Sequence, residues 1–333
     1  MQGSVRVVHP GGTPEGAPHR EVGNTPLIEI DGVFAKLECV NPCGSVKDRI
    51  ADYILGRSRE LGLLEEGQPI VEATSGNTGI SMTYYGTKLG HQVTIVMPEN
   101  MTEERKGHIR RLGATLIECS KEGSFAEAAA IRDDLASSHG WFNPDQFSNP
   151  LNVECHAKTT ARELLDQIGD RKIDAFVAGV GTGGTLIGVG AGLREVLPNV
   201  RIVAVEPAES AVMTGGEPGP HSIFGIGDGF IPAIASDGKG GLHPMIDEVA
   251  VVSSEEAIVA ARELRGVYGK CVGISSGANF VAARRLRERF ETVATVFADG
   301  FGKYISYGLI AADCGACPFE PACLEREKET GIR

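Results

Sequence analysis

At least six times along this chain a short apolar run rich in Val and Ile gives way to a stretch whose apolar residues fall three and four positions apart. Runs without period-two alternation suit parallel strands covered on both faces, while the wider spacing gives a helix one apolar face. Repeated alternation of the two leaves few topologies open, because parallel strands need crossovers and helices usually supply them. Strands are therefore predicted at Ile70–Ala73, Val93–Met97, Thr115–Cys119, Ala175–Val180, Ile202–Val205 and Val293–Ala298. Helices are predicted at Asp48–Leu61, Gly79–Leu89, Glu103–Leu112, Ser124–Ser137, Val153–Ile168, Leu186–Val196 and Ser254–Tyr268. The 44 glycines punctuate these segments, and Gly215–Gly241 is expected to form a long structured loop. The class is α/β, in two lobes.

Charge narrows the partners. With 32 Lys and Arg against 44 Asp and Glu, the net charge of −12 has the wrong sign for a nucleic-acid or anionic-membrane surface. Apolar runs stop well short of the roughly 18 residues needed to span a bilayer. Met1 to Arg20 is rich in Gly and Pro and lacks the apolar core of a signal peptide, so a cytoplasmic location is expected. In such a compartment the eight cysteines are read first as thiols, metal ligands or catalytic groups.

Three segments carry chemistry. In Asn41-Pro42-Cys43-Gly44-Ser45-Val46-Lys47-Asp48-Arg49, Pro and Gly end an extended stretch and Ser45 is placed to cap the next helix. Lys47 then falls in the first helical turn, where unpaired N–H groups and the helix dipole lower the pKa of an amine. It is either a nucleophile or a surface cation paired with Asp48 or a distant carboxylate. The second segment, Thr74-Ser75-Gly76-Asn77-Thr78-Gly79, spans a strand-to-helix turn with hydroxyls, an amide and free N–H groups, a cradle for a small carboxylate or an ordinary polar loop. In the third, Gly179-Val180-Gly181-Thr182-Gly183-Gly184-Thr185, glycines let the backbone wrap a phosphate at a helix N-terminus. The same glycines match G-x-G-x-x-G, and Glu206 lies 22 residues past Gly184, where a dinucleotide site keeps its ribose-binding acid. A Walker A loop is excluded, because no Lys-Ser or Lys-Thr pair follows. Two anion cradles of different size plus a tuned lysine fit an amino-acid carboxylate, a phosphate and an aldehyde, the inventory of pyridoxal phosphate chemistry. A nicotinamide oxidoreductase would leave the first two segments without a role.

These segments resemble the cysteine synthase (O-acetylserine sulfhydrylase) and cystathionine β-synthase family of fold type II pyridoxal phosphate enzymes, in order from about Gly23 to Gly300. Gly23-Asn24-Thr25-Pro26-Leu27, Gln146-Phe147-Ser148-Asn149-Pro150, Gly225 to Pro232 and Gly273-Ile274-Ser275-Ser276-Gly277-Ala278 belong to the likeness. The resemblance implies two lobes of the tryptophan synthase β type, each with a mostly parallel sheet flanked by helices. Residues 1–50 plus 151–312 would form a large cofactor-binding lobe, 51–150 a small mobile lobe, and 313–333 a Cys-containing tail. It implies that Lys47 bonds the cofactor aldehyde, that Asn77 meets its phenolic oxygen, and that Gly181, Thr182, Gly183, Gly184 and Thr185 hold its phosphate. Thr74, Ser75, Thr78 and Gln146 match the positions that bind the substrate carboxylate. Ser275 matches the hydroxyl at the pyridine nitrogen, although by itself it also reads as a helix cap ahead of Gly277–Leu286. A neutral hydroxyl holds no proton on the ring, and the weaker electron sink suits loss of a β-leaving group followed by addition of a nucleophile. The implied reaction is O-acetyl-L-serine plus sulfide to L-cysteine plus acetate, in a homodimer. β-Elimination and cystathionine synthesis are its alternatives.

Three features depart from the common pattern. Cys43 stands four residues before Lys47 and would bring a thiol near the site. Asp299-Gly300-Phe301-Gly302-Lys303-Tyr304 replaces a Ser-rich segment. Cys314, Cys317 and Cys323, in C-x2-C-x5-C spacing with a Pro after Cys317, are candidate ligands of an iron–sulfur cluster or zinc.

Overall fold

The computed structural model describes residues 4–9, 11, 22–74, 76–121 and 124–307. One sheet opens with antiparallel strands β1 (Val5–His9), β2 (Leu27–Ile30) and β3 (Val33–Leu37). Helix α1 (Lys47–Glu60) leads into a second sheet of three parallel strands, β4 (Ile70–Ala73), β5 (Val93–Pro98) and β6 (Thr115–Cys119). Helices α2 (Asn77–Lys88) and α3 (Glu103–Arg111) connect these, and α4 (Ser124–His139) follows. The chain returns through α5 (Pro150–Lys158) and α6 (Thr160–Ile168) to the first sheet. There it forms β7 (Ala175–Gly179), α7 (Gly184–Arg194), β8 (Arg201–Pro207), β9 (Glu248–Val252), α8 (Ser254–Gly266), α9 (Ile274–Leu286) and β10 (Val293–Phe297). The order of the large sheet is β1-β2-β3-β10-β7-β8-β9, parallel from β3 onward.

The apolar runs predicted as strands are strands: those at β7, β8 and β10 lie in the large sheet, covered on both faces, and the other three form the small sheet, whose edge strand β6 is only partly buried. Phe176, Ala204 and Val296 face one core cluster, while their neighbours Val177, Val203 and Phe297 face the other. Ile70–Ala73 and Thr115–Cys119 coincide with the predicted strands, and the other element ends differ by at most three residues. The helix expected over Val153–Ile168 is two helices, broken at Thr159 with φ −117° and ψ −73°. Ser275 is not a cap: α9 begins at Ile274, with Gly273 at its N-cap. The Gly215–Gly241 loop holds a 3-10 turn at Ala233–Ala235 and an isolated bridge from Ser236 to Leu242.

The antiparallel edge was not foreseen, and its charges explain why. Every residue of β3 is buried, including Lys36. The Lys36 amine donates to Thr25 O at 2.8 Å, Glu163 Oε2 at 2.6 Å and Gln167 Oε1 at 2.9 Å. Arg49 completes the set, bonding Glu38 Oε2 at 2.6 Å and Glu163 Oε1 at 2.7 Å. Two cations and two carboxylates thus tie the first turn of α1 to β3 and α6. Removing one partner strands a buried charge, which costs about 3–5 kcal/mol.

Candidate active site

Strand direction places the candidate segments together. The loops after β4, β7 and β10 and the turn before α1 all leave the carboxyl ends of parallel strands, where open α/β sheets form their crevice. One cavity there is lined by Lys47, Thr74, Asn77, Thr78, Gln146, Gly181, Thr182, Gly183, Thr185 and Ser275. Gly184 does not line it, and Ser75 lies outside the described residues.

The turn carrying Lys47 is sewn to the end of β10. Val46 N–H donates to Ala298 O at 2.7 Å, and Ser45 bridges Asp299. Ser45 Oγ accepts from Lys47 N–H at 3.3 Å, while Val46 occupies the N-cap position. Asp48 does not pair with Lys47. Its carboxylate accepts from Cys43 N–H at 3.0 Å, Ser45 N–H at 3.3 Å and Ser81 Oγ at 2.9 Å. Burial pushes the Lys47 amine below its ordinary pKa, against the opposing charges of Asp299 and Asp228 and with the help of Lys303. Cys43 packs in the apolar cluster beside α1, its thiol pushed well up by burial and by Asp48, and it does not line the cavity.

The loop after β4 is neutral throughout its described part. Thr74 Oγ1 accepts from Gly76 N–H at 3.1 Å, Thr78 Oγ1 donates to Gln146 Oε1 at 2.6 Å, and Gln146 Nε2 reaches Ala73 O at 3.4 Å. Asn77 Nδ2 donates to Asp299 Oδ2 at 2.7 Å, and its buried Oδ1 has no partner within the protein.

The loop after β7 is built for close approach. Gly183 takes φ +89°, a left-handed conformation natural to glycine, and a Cβ on Gly181 would overlap the carbonyl oxygen of Gly225. Along α7, Gly184, Gly188 and Gly192 turn one bare face to Asn152, His156 and Ala161, so α5 and α6 meet its backbone directly. Asn152 Nδ2 donates to Thr182 Oγ1 at 3.1 Å, and His156 Nε2 lies 3.2 Å from Thr185 Oγ1. Burial depresses His156 to about 3, so a neutral ring holds that hydroxyl.

Glu206 is not available to a ribose. It accepts from Met213 N–H at 2.7 Å, Thr214 N–H at 3.0 Å and Thr214 Oγ1 at 2.6 Å, and it does not line the cavity. The dinucleotide reading loses its acid to a local turn.

The residues present fit pyridoxal phosphate: a buried amine of lowered proton affinity, an amide that carries a second N–H beyond the one given to Asp299, and a glycine cradle at the N-terminus of α7. A model of pyridoxal-phosphate-dependent enzymes matches residues 19–299. The chain belongs to that family. A cysteine synthase from Staphylococcus aureus is 41% identical to this family member over 305 residues, covering 88% of this chain and 96% of that protein. A hydrogen sulfide-producing enzyme from Fusobacterium nucleatum superposes with a TM-score of 0.81 at 40% identity, over 86% of this chain and 89% of the other. An O-acetylserine-dependent cystathionine β-synthase from Helicobacter pylori does so with 0.78 at 37% identity, over 84% and 90%. The family member is thus a cysteine synthase-like transferase or lyase with the fold type II architecture.

Several cavity residues escaped the sequence. Asp228, within Gly225 to Pro232, lines the cavity, and burial raises its pKa. Arg105, from α3, lines the cavity with its guanidinium 5.6 Å from the Phe224 ring and 5.3 Å from the Tyr304 ring. Phe125, Phe147 and Tyr304 also line the cavity; Phe147 and Tyr304 stand in segments the sequence singles out without a role for these rings, and Phe125 stands in none. No helix among the described residues is long and apolar enough to cross a membrane. Among the same residues no group of three His, Cys, Asp or Glu could hold a metal ion; Cys314, Cys317 and Cys323 lie outside them.

Proposed function

We propose that this chain catalyses β-replacement on an activated L-serine, converting O-acetyl-L-serine and sulfide to L-cysteine and acetate. The carrying observation is Lys47 seated between a neutral hydroxyl and amide loop and a glycine cradle at a helix N-terminus. Bound pyridoxal phosphate supplies an electron sink conjugated to the substrate's α-carbon. Lys47, which lines the cavity, would be the residue that holds the cofactor at its aldehyde. Its amine, lowered in proton affinity by burial, then takes the α-proton. Thr74, Ser75, Thr78 and Gln146 hold the α-carboxylate without a charged group, and Gly181, Thr182, Gly183, Gly184 and Thr185 hold the phosphate. Asn77 would face the phenolic oxygen, and Ser275, which lies in the first turn of α9 and lines the cavity, would offer its hydroxyl to the pyridine nitrogen.

Mass spectrometry of products separates the rivals: cysteine supports replacement, pyruvate with ammonia elimination, and cystathionine a homocysteine acceptor. The likeness to a hydrogen sulfide-producing enzyme makes cysteine as donor the second reaction to assay. Borohydride reduction and peptide mapping test the lysine. The pyridoxyl adduct belongs on Lys47, and Lys47→Ala should abolish turnover; an adduct on Lys88 or Lys303 refutes the assignment.

The proposal includes a homodimer, a cytoplasmic location, a small lobe over 51–150 that moves against the rest, and a metal centre at Cys314, Cys317 and Cys323. Light scattering, cell fractionation and substrate-dependent small-angle scattering check the first three. Iron, sulfide and zinc analysis of anaerobically purified protein checks the last. Cys317→Ser with unchanged metal content, or metal-free protein of full activity, defeats it.

A further inference from the structure

The segment that replaces the usual Ser-rich stretch places a carboxylate directly behind Asn77. Asp299 is 1% exposed and is pinned by its own backbone, which bridges Ser45 and accepts from Gly273 N–H at 3.0 Å. Its Oδ2 accepts from Asn77 Nδ2 at 2.7 Å and from Tyr304 OH at 2.5 Å. Asp299 itself does not line the cavity, whereas Asn77 and Tyr304 do. A primary amide has two donor hydrogens and one acceptor oxygen, and only its nitrogen end can face a carboxylate. Flipping Asn77 would press Oδ1 against Oδ2 with no hydrogen between them. The orphaned Asn77 Oδ1 and the amide's second N–H are therefore held in fixed places.

We propose that Asp299 is a positioning residue that locks the orientation of the Asn77 amide and so leaves one defined N–H for the cofactor's phenolic oxygen. Tyr304 serves the same lock. Its hydroxyl donates the second hydrogen bond that Oδ2 accepts, and its ring stacks beside Phe224, at 5.9 Å between centroids. The inference rests on the reading that Asn77 faces the cofactor, and it adds that Asp299 and Asn77 act as one unit.

A double-mutant cycle on pyridoxal phosphate affinity tests this, with the cofactor titrated into apoprotein and followed by absorbance and fluorescence. Asp299→Asn preserves size but lets the carboxamide present either end, so the dissociation constant should rise about tenfold. Asn77→Ala should raise it at least as much. In the Asn77→Ala background the Asp299→Asn change should then add less than about twofold, because residues in contact through one bond are not additive. Full additivity, or an Asp299→Asn single variant that binds like wild type, overturns the inference. If Asp299→Asn fails to fold, the same cycle is run with Asp299→Glu, which keeps the charge and moves the oxygens. Wild-type binding that maps to Lys47 while Asn77→Ala binds normally would instead refute the assignment of Asn77 on which the inference rests.

Discussion

Glu72 gives the protein a pH dependence that one substitution should erase. It lies on β4, two residues before Thr74, and is fully buried with Oε2 unpartnered. Its nearest cation, Arg132 Nη1, is 3.7 Å from Oε1 and also serves Asp145 at 3.5 Å, while Arg132 Nη2 bonds Asp133 at 2.8 Å. Burial outweighs that cation and, with Asp145, raises the Glu72 carboxyl from 4.5 to about 7. A carboxyl raised in the folded state stabilises it fully below pH 4.5, and the contribution is lost as pH climbs through 7. Over that window, at ~1.36 kcal/mol per pH unit, the loss is about 3.4 kcal/mol. A 333-residue chain unfolds with an entropy of roughly 0.7 kcal/mol/K, so the loss is about 5 °C in Tm. Glu72→Gln keeps the acceptor for Ala73 N–H, which now bonds Oε1 at 3.0 Å, and leaves Arg132 its two aspartates. Differential scanning calorimetry of both proteins at pH 4.5 and pH 8.5 should find the variant gaining about 5 °C on wild type between the two. Parallel pH profiles would refute the reasoning.

Two further substitutions probe the cavity. Gly184→Ala puts a methyl group into Asn152 Oδ1 and must push α7 away, so dialysed protein should retain at most a tenth of its cofactor while its helix content stays near wild type. Thr78→Ala removes the hydroxyl that anchors Gln146, and steady-state kinetics should show KM for the amino-acid donor raised about tenfold, with cofactor content unchanged.

What the sequence revealed is what chain-local chemistry can reveal. The three anion and amine segments were legible because each is a short run whose residue types and flanking elements carry its purpose. Lys47 was legible too, though its local alternative, a pair with Asp48, fails because the Asp48 carboxylate turns back to cap its own loop. What stayed hidden depends on partners far away in sequence. Lys36 looks like a break in an apolar strand until Glu163, 127 residues on, accounts for it. His156 acquires meaning only through Thr185, and Asp299 only through Asn77, 222 residues before it. Glu206 misled for the same reason, since its spacing was right and its hydrogen bonds were already spent on Met213 and Thr214.

The order of the large sheet also fixes when this protein can fold during its own synthesis. β10 stands between β3 and β7, yet among the described residues it is the last strand made. Until it emerges, β3 and β7 each present a bare inner edge, a template for pairing with other chains. At about 5–20 residues per second, the roughly 110 residues between β7 and β10 keep that gap open for on the order of 5–20 s. The same late strand delivers Ala298 to Val46 and Asp299 to Asn77. A ribosome-bound chain stalled before Val293 therefore owns every candidate ligand of the cofactor phosphate and still has no pocket in which to use them.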